Sequence, residues 1–456
     1  MLIRFEAHLP HRFVLVFGML FGGSLVFLSP PYSVPDELAH FHRAYHCSQG
    51  KLYACKRDGY TGDDLPSSLA ETYVAITDRA ENDAQFEISW TKIENAAGIA
   101  LDPQRQKFTV FSNTALYSPV AYLPQSAAMW IARLWKPAPL TLLYLARVAN
   151  LIVYLLLAAT AVRLAPIHKW TLALVALVPM SVYLAASLSA DTMTLGLSLL
   201  VIAVTLNLAL GSEGPSRRSL LSLALLLVLV ALSKQAYLGL TLLFFMIPGK
   251  KFSSPARRWL LVLLMIGLPL AISAAWTYSL RGLYVPALSF VDPRAQFHWI
   301  LGHPWSYASV VGKALYRLDD YSFMIGVFGW LGPHLPQWIR DTYWAAMGLA
   351  AVLDGGKPLT LSVRARAIAF GTYVLTAAVM ATLVYLSWEQ VGIKSIGGIQ
   401  PRYFLPIVPL LLLLPRGGAK LAGSRFSRIV VPIVAMSVIS IAAGVTWWTL
   451  VKRYYW

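Results

Sequence analysis

The apolar run Phe13–Leu28, FVLVFGMLFGGSLVFL, is followed almost at once by Pro30–His46, PPYSVPDELAHFHRAYH. The first part carries no charge. As a helix rising 1.5 Å per residue, it crosses most of a hydrocarbon core about 30 Å thick. The second part gathers Asp36, Glu37, His40, His42, Arg43 and His46 where that helix meets water. Ionisable groups at the edge of a membrane span are expensive to keep there and mark a functional corner.

The whole chain repeats the apolar theme. Of its 456 residues, 57% are hydrophobic and 13% charged, with a mean hydropathy of +0.59. A soluble domain carries about 25% charge. The apolar runs are continuous rather than alternating, so they read as helices and not as barrel strands. The fold class is therefore an all-α polytopic membrane protein, a single integral domain over residues 1–456. The expected spans number about 11, within about 9 to 13, at roughly 20 residues per crossing.

Net charge is +17, but its distribution excludes a nucleic-acid footprint. Basic residues cluster in short connections: Arg217-Arg218, Lys250-Lys251, Arg257-Arg258, Arg364 with Arg366, and Arg416 to Arg428. This is the cytoplasmic excess of a membrane protein. Twelve of the 21 acids lie between Asp36 and Asp102, which places residues 30–115 on the other side as a long first extracytoplasmic loop. Its scattered aromatics suit a packed cap, with Ser67–Ala75 and Ser89–Ala100 as short amphipathic helices. A second extracytoplasmic loop covers 281–337. Leu116–Trp135, interrupted by Pro119, Pro124 and Gln125, reads as a re-entrant or surface hairpin, because a crossing there would put every later basic cluster outside. The first helix reads as an uncleaved span starting in the cytoplasm.

Cys47 and Cys55 both fall in the first loop. An oxidising compartment permits a disulfide between them; two unpaired thiols are the alternative.

The candidate chemistry begins at Asp36. A helix over Val34–Tyr45 sets Asp36, His40 and Arg43 on one face at i, i+4 and i+7. Asp36 equally suits a helix start, where free N–H groups favour an acid. Glu37 is either a second acid or a surface charge paired with Arg43. Asp191, between two apolar runs, is a site residue or the cap of the following helix. Lys234 and Arg402 open short outer segments. There they suit an anionic headgroup, Lys as a point charge and Arg as a planar fork; snorkelling to the lipid surface is the alternative. Arg147 and Asn150 interrupt a span and require internal partners. Asp36 and Asp191 are also the candidates for a divalent cation, Mg or Mn, although no tight ligand spacing accompanies them.

PPYSVPDELAHFHRAY, YSPVAYLPQ, SLSADTMTLGLSLL, LSKQAYLGL, FGWLGPHLP and IQPRYFLPIVPLLLL together resemble the DUF2142 family of predicted bacterial membrane proteins. That family in turn resembles the GT-C superfamily of membrane glycosyltransferases. The resemblance implies a sugar donor linked to polyprenyl phosphate or diphosphate, used on the outer side, and a glycan or lipid acceptor of the cell envelope. It maps an essential acid onto Asp36 or Glu37 and a second onto Asp191, without the paired-acid form of the oligosaccharyltransferases. Lys234 and Arg402, with the adjoining Tyr403, take the place of the donor-phosphate clamp, and His40 and Arg43 that of further substrate contacts. Such chemistry requires no nucleotide or other cofactor. Partners are then membrane lipids and a second copy or a small membrane protein, with no nucleic acid. Two other classes stay open: a glycolipid flippase, and a non-catalytic envelope-assembly protein whose polar residues would not converge.

Overall fold

The computed structural model describes residues 2–83, 86–286, 288–316, 321–330, 332–355, 359–415 and 422–456. It is a helical bundle with a cap at one end. Helices α1 (Leu2–Leu28) and α2 (Glu37–Ser48) flank the opening stretch, and α3 (Ser67–Thr77) and α4 (Trp90–Ala97) lie in the cap. Then come α5 (Leu123–Ala132), α6 (Pro139–Leu164), α7 (Lys169–Ala176), α8 (Pro179–Ala185), α9 (Asp191–Leu210), α10 (Arg217–Ser233) and α11 (Pro255–Ser279). The chain continues through α12 (Pro293–Gly302), α13 (Pro304–Tyr316), α14 (Gln337–Leu353), α15 (Val363–Trp388), α16 (Val408–Leu412) and α17 (Arg425–Tyr454).

Among the described residues, six helices are long and apolar enough to cross a membrane by themselves: α1 from His8, α6, α9, α11, α15 and α17. The expected count of about 11 also takes in shorter segments. The remaining apolar segments exist but are short or broken. Pro179 splits the segment after His168 into α7 and α8, and Gln235–Met246 runs as a 3-10 helix. Prolines 401 and 409 keep the approach to Leu412 in short pieces. Leu116–Trp135 holds no crossing helix: its longest element is α5, of 10 residues, with Trp130, Leu134 and Trp135 exposed.

Burial grades across the bundle. Helix α9 is central, with 78% of its apolar window buried, and α11 is peripheral, at 22%. Close approach uses glycine. A Cβ at Gly18 in α1 would overlap Leu155 of α6, and one at Gly239 would overlap Thr376 of α15. Small residues at such crossings let backbones meet where no hydrophobic force pulls helices together.

The cap adds what sequence periodicity did not reveal, a three-stranded antiparallel sheet. Its strands are β1 (Cys55–Arg57), β2 (Tyr60–Pro66) and β3 (Gln106–Val110), with Gly62 opposite Val110. The amphipathic helices are α3 and α4, close to the expected ranges. The cap is tied down at both sides. Thr61 Oγ1 donates to the Leu283 carbonyl at 2.6 Å, and Arg453 of α17 donates to the Phe86 and Asp83 carbonyls. Cys47 and Cys55 are free thiols, which corrects the disulfide. Cys47 sits half-buried in α2, lining a groove with Ser126 of α5, whereas Cys55 stands exposed on an edge strand.

Arg147, eight residues into α6, has a fully buried side chain and finds its partner in Glu37. Nε donates to Glu37 Oε1 at 2.8 Å and Nη2 to Oε2 at 2.5 Å. Nη1 donates to the carbonyls of Val26 and Ser29, and Nη2 also to that of Pro30. All five guanidinium N–H groups are thus used. Glu37 accepts in addition from the backbone N–H of Tyr32 and of Leu188. Removing one member of such a buried pair leaves an unpaired charge, at a cost of about 3–5 kcal/mol. Arg147→Met or Glu37→Gln alone should sharply lower the thermal unfolding midpoint in detergent. The double replacement should recover much of the loss. Single variants as stable as wild type would contradict this role.

A candidate active-site cavity

Five separate segments converge beneath the cap. Asp36 immediately precedes α2, with φ 61°, in the left-handed region that aspartate tolerates better than most residues. Its carbonyl accepts from the His40 N–H at 2.9 Å, but its side chain makes no capping bond. Instead Oδ1 accepts from Asn113 Nδ2 at 2.8 Å. Asn113 arrives from the far end of the cap, in the turn after β3, where Thr114 Oγ1 donates to the Ala39 carbonyl. One end of the long loop therefore orients the acid at its beginning.

Asp191 is the first residue of α9, following Ala190 at the N-cap. It takes part in an ion pair with Lys234 Nζ, and its Oδ2 lies 3.6 Å from Arg402 Nε. Lys234 stands where α10 stops and the 3-10 segment begins. Its ammonium sits 4.9 Å from the centre of the Tyr403 ring and 6.0 Å from that of Tyr117. Arg402 lies in the short turn Pro401–Phe404, which is held by a hydrogen bond from Tyr237 to the Tyr403 carbonyl.

His40 lies one turn along α2 from Asp36. Its Nδ1 is 2.7 Å from the Tyr122 hydroxyl, and its ring stacks on Tyr117. Burial pushes the imidazole down to about 3, so it is neutral near pH 7. For Asp36, burial is the largest influence and pushes the carboxyl up; Arg402 and the Asn113 hydrogen bond oppose it.

These groups line a cavity of about 280 Å³. Beside it is a second, of about 480 Å³, sharing Tyr117, Lys234, Trp388 and Tyr403. The second is mainly apolar, walled by Leu232, Ala236, Trp276, Leu280, Leu383 and Val384, and lies between α10, α11 and α15. The pair therefore offers a charged chamber joined to an apolar groove.

Asp36, His40, Asp191, Lys234, Arg402 and Tyr403 thus meet. Two other residues expected at the site do not line it. Glu37 is consumed by Arg147, pairing neither with Arg43 nor with the cavity. Arg43, fully buried further along α2, is bonded to His46 and to the carbonyls of Leu52 and Tyr117. It holds the backbone of Tyr117, whose ring lines the cavity, and stands about 10 Å along the helix axis from Asp36, beyond the first turn that α2 presents to the chamber. Among the described residues, no three metal-ligating side chains gather anywhere. Asn113 and Trp388 escaped sequence reading, because neither belongs to a spaced motif of ionisable groups; Tyr117 and Tyr122 lay inside YSPVAYLPQ without an assigned role.

A family model for predicted membrane proteins, DUF2142, matches residues 19–411. The chain belongs to the DUF2142 family. The match takes in every residue of the cavity, from Asp36 to Tyr403, and supports a multi-pass membrane location. Comparison with curated proteins and with solved structures finds no match in either.

The Asn113 bond favours the charged form of Asp36, so its loss should raise the carboxyl further. In Asn113→Ala, infrared titration of Asp36 should show protonation setting in at higher pH than in wild type, with carboxylate lost as pH falls through that raised value. An unmoved titration would separate Asn113 from Asp36.

Proposed function

We propose that this DUF2142 protein is a membrane glycosyltransferase. It moves a sugar from a prenyl-phosphate or prenyl-diphosphate donor to a glycan or lipid acceptor of the bacterial envelope, at the extracytoplasmic face of the inner membrane. One observation carries the reading: acids and cations from five distant segments converge on one chamber beside an apolar groove. A non-catalytic assembly protein has no need of that convergence. A flippase needs polar groups along a path through the bilayer. Arg147 and Asn150 instead face inward to fixed partners, Asn150 donating to the Ser187 carbonyl and to Thr192.

The step is a single displacement. The acceptor hydroxyl gives its proton to the Asp36 carboxylate, and its oxygen attacks the anomeric carbon. The bond from that carbon to the donor phosphate breaks, and its electron pair leaves with the phosphate. Arg402, with Lys234 behind it, offsets the growing charge on that leaving group in a partly dry chamber. His40, neutral and held by Tyr122, can hydrogen-bond a sugar hydroxyl without competing for the proton. The apolar groove takes the prenyl chain. Because the donor is already activated, this chemistry uses no nucleotide pocket. GT-C enzymes, which the family resembles, place an essential acid after their first helix, as Asp36 stands here.

Asp36→Asn should keep the fold and donor binding but lower transfer by roughly 10²–10⁴, the range of general-base assistance. Arg402→Ala should weaken donor binding about tenfold or more, since hydrogen bonds to charged groups contribute about 1.5–3 kcal/mol. The measurement is radiolabelled sugar transfer by protein reconstituted in vesicles, with donor identified as the prenyl-linked sugar that accumulates in a deletion strain. Full turnover by Asp36→Asn would overturn the assignment.

A further inference from the structure

We propose that the cavity accepts a donor joined through a single phosphate, and that Asp191 sets this limit by occupying one of the two cations. The inference rests on the prenyl-phosphate reading above and narrows it.

The cavity holds two carboxylates, Asp36 and Asp191, and two cations, Lys234 and Arg402. His40 is neutral there. The two cations are not equivalent. The Lys234 ammonium is ion-paired with Asp191 Oδ1 and lies against the Tyr403 ring. Arg402 is only 10% exposed, yet its Nε lies 3.6 Å from Asp191 Oδ2 and has no hydrogen-bond partner. A buried guanidinium nitrogen without an acceptor is costly to maintain, and it is satisfied by an anion entering from the cavity. One cation is thus hydrogen-bonded to Asp191, and the other, within ion-pair distance of the same carboxylate, keeps its Nε–H free for an anion.

A sugar phosphodiester brings one negative charge, which Arg402 can meet with its planar fork. A diphosphate diester brings two. Its second charge finds Lys234 already neutralised and Asp191 and Asp36 close by, and like charges in a buried site repel strongly. Space points the same way. About 280 Å³ is just under the roughly 300 Å³ at which drug-sized pockets begin. It suits one sugar ring and one phosphate, with the prenyl chain in the neighbouring groove of about 480 Å³. Asp191 is then a specificity-determining residue rather than a metal ligand or a helix cap.

The test uses the whole protein in lipid nanodiscs and two synthetic probes, farnesyl-phospho-glucose and farnesyl-diphospho-glucose, which differ by one phosphate. Wild type should bind the first about tenfold more tightly or better, the equivalent of one charged hydrogen bond. Asp191→Asn releases Lys234, so affinity for the diphosphate probe should rise by a similar factor and the preference should shrink or reverse. Asp191→Ser, checked by thermal unfolding, serves if the amide does not fold. Arg402→Ala should weaken both probes. Arg402-dependent binding in which wild type favours the diphosphate, or does not distinguish the two, would overturn the single-phosphate inference and leave the prenyl-phosphate reading intact. A folded Asp191 variant with unchanged preference would remove Asp191 from this role. Absence of any Arg402-dependent binding of either probe would overturn the reading itself.

Discussion

The buried pair between Glu37 and Arg147 is the constraint on which the rest is hung. It gathers the last carbonyls of α1, the start of α2, the upper part of α6 and the backbone at Leu188 into one hydrogen-bonded knot. Two charges taken out of water are tolerated only when every donor and acceptor is used, and here the guanidinium has none to spare. Asp36 is one residue before Glu37, and Asp191 is three residues after Leu188. The places of the two cavity acids are therefore inherited from a pair that never touches the cavity. A buried ion pair thus fixes where two acids outside it stand.

Neighbouring acids consequently have opposite fates. The left-handed backbone at Asp36 turns its side chain away from that of Glu37, toward Asn113 and the chamber. Burial on one side and a hydrogen bond on the other then set how readily Asp36 takes a proton. Asp191 meets the opposite environment, with cations on both of its oxygens. Two carboxylates in one chamber thereby meet different surroundings, one facing an amide donor and one facing two cations. The apolar groove adds the complement, because its walls continue from the same Tyr117, Lys234 and Tyr403 that border the charges.

Much of this was legible in the residues. Continuous apolar runs announce a helical membrane protein, and Asp36, Asp191, Lys234 and Arg402 stand out as charges at the ends of such runs. Arg147 and Asn150 demand partners by the same logic. What could not be read is which partner. Glu37 and Arg147 are 110 positions apart, and no local pattern distinguishes the acid that plugs a guanidinium from the acid that faces a cavity. Asp36 and Asp191 both read as helix caps, but Asp36 makes no capping bond and Asp191 stands one residue inside α9, after Ala190. The cap sheet was hidden because its strands are short and polar, without the alternation of apolar residues that marks a half-buried strand. The disulfide failed for a related reason: closeness in sequence says nothing about direction, and α2 turns Cys47 toward α5.

The short apolar segments have a physical cause. Gln235–Met246 holds 12 residues in 3-10 geometry, a form rarely continued beyond 3–4 residues because its hydrogen bonds are poorer. At about 2.0 Å per residue it reaches about 24 Å, against about 18 Å for the same residues as α-helix. A segment too short to cross as an α-helix is thus stretched toward the thickness of the hydrocarbon core. Strained backbone inside a membrane survives only where protein surrounds it or where it borders a cavity, and both conditions hold. Thr376 of α15 packs against Gly239 within the segment, and Lys234 stands at its entrance. The break after α10 leaves the lysine backbone extended, at φ −152° and ψ 117°, and this aims its side chain across to α9. The irregularity that makes the span hard to recognise is what brings the cation to the acid.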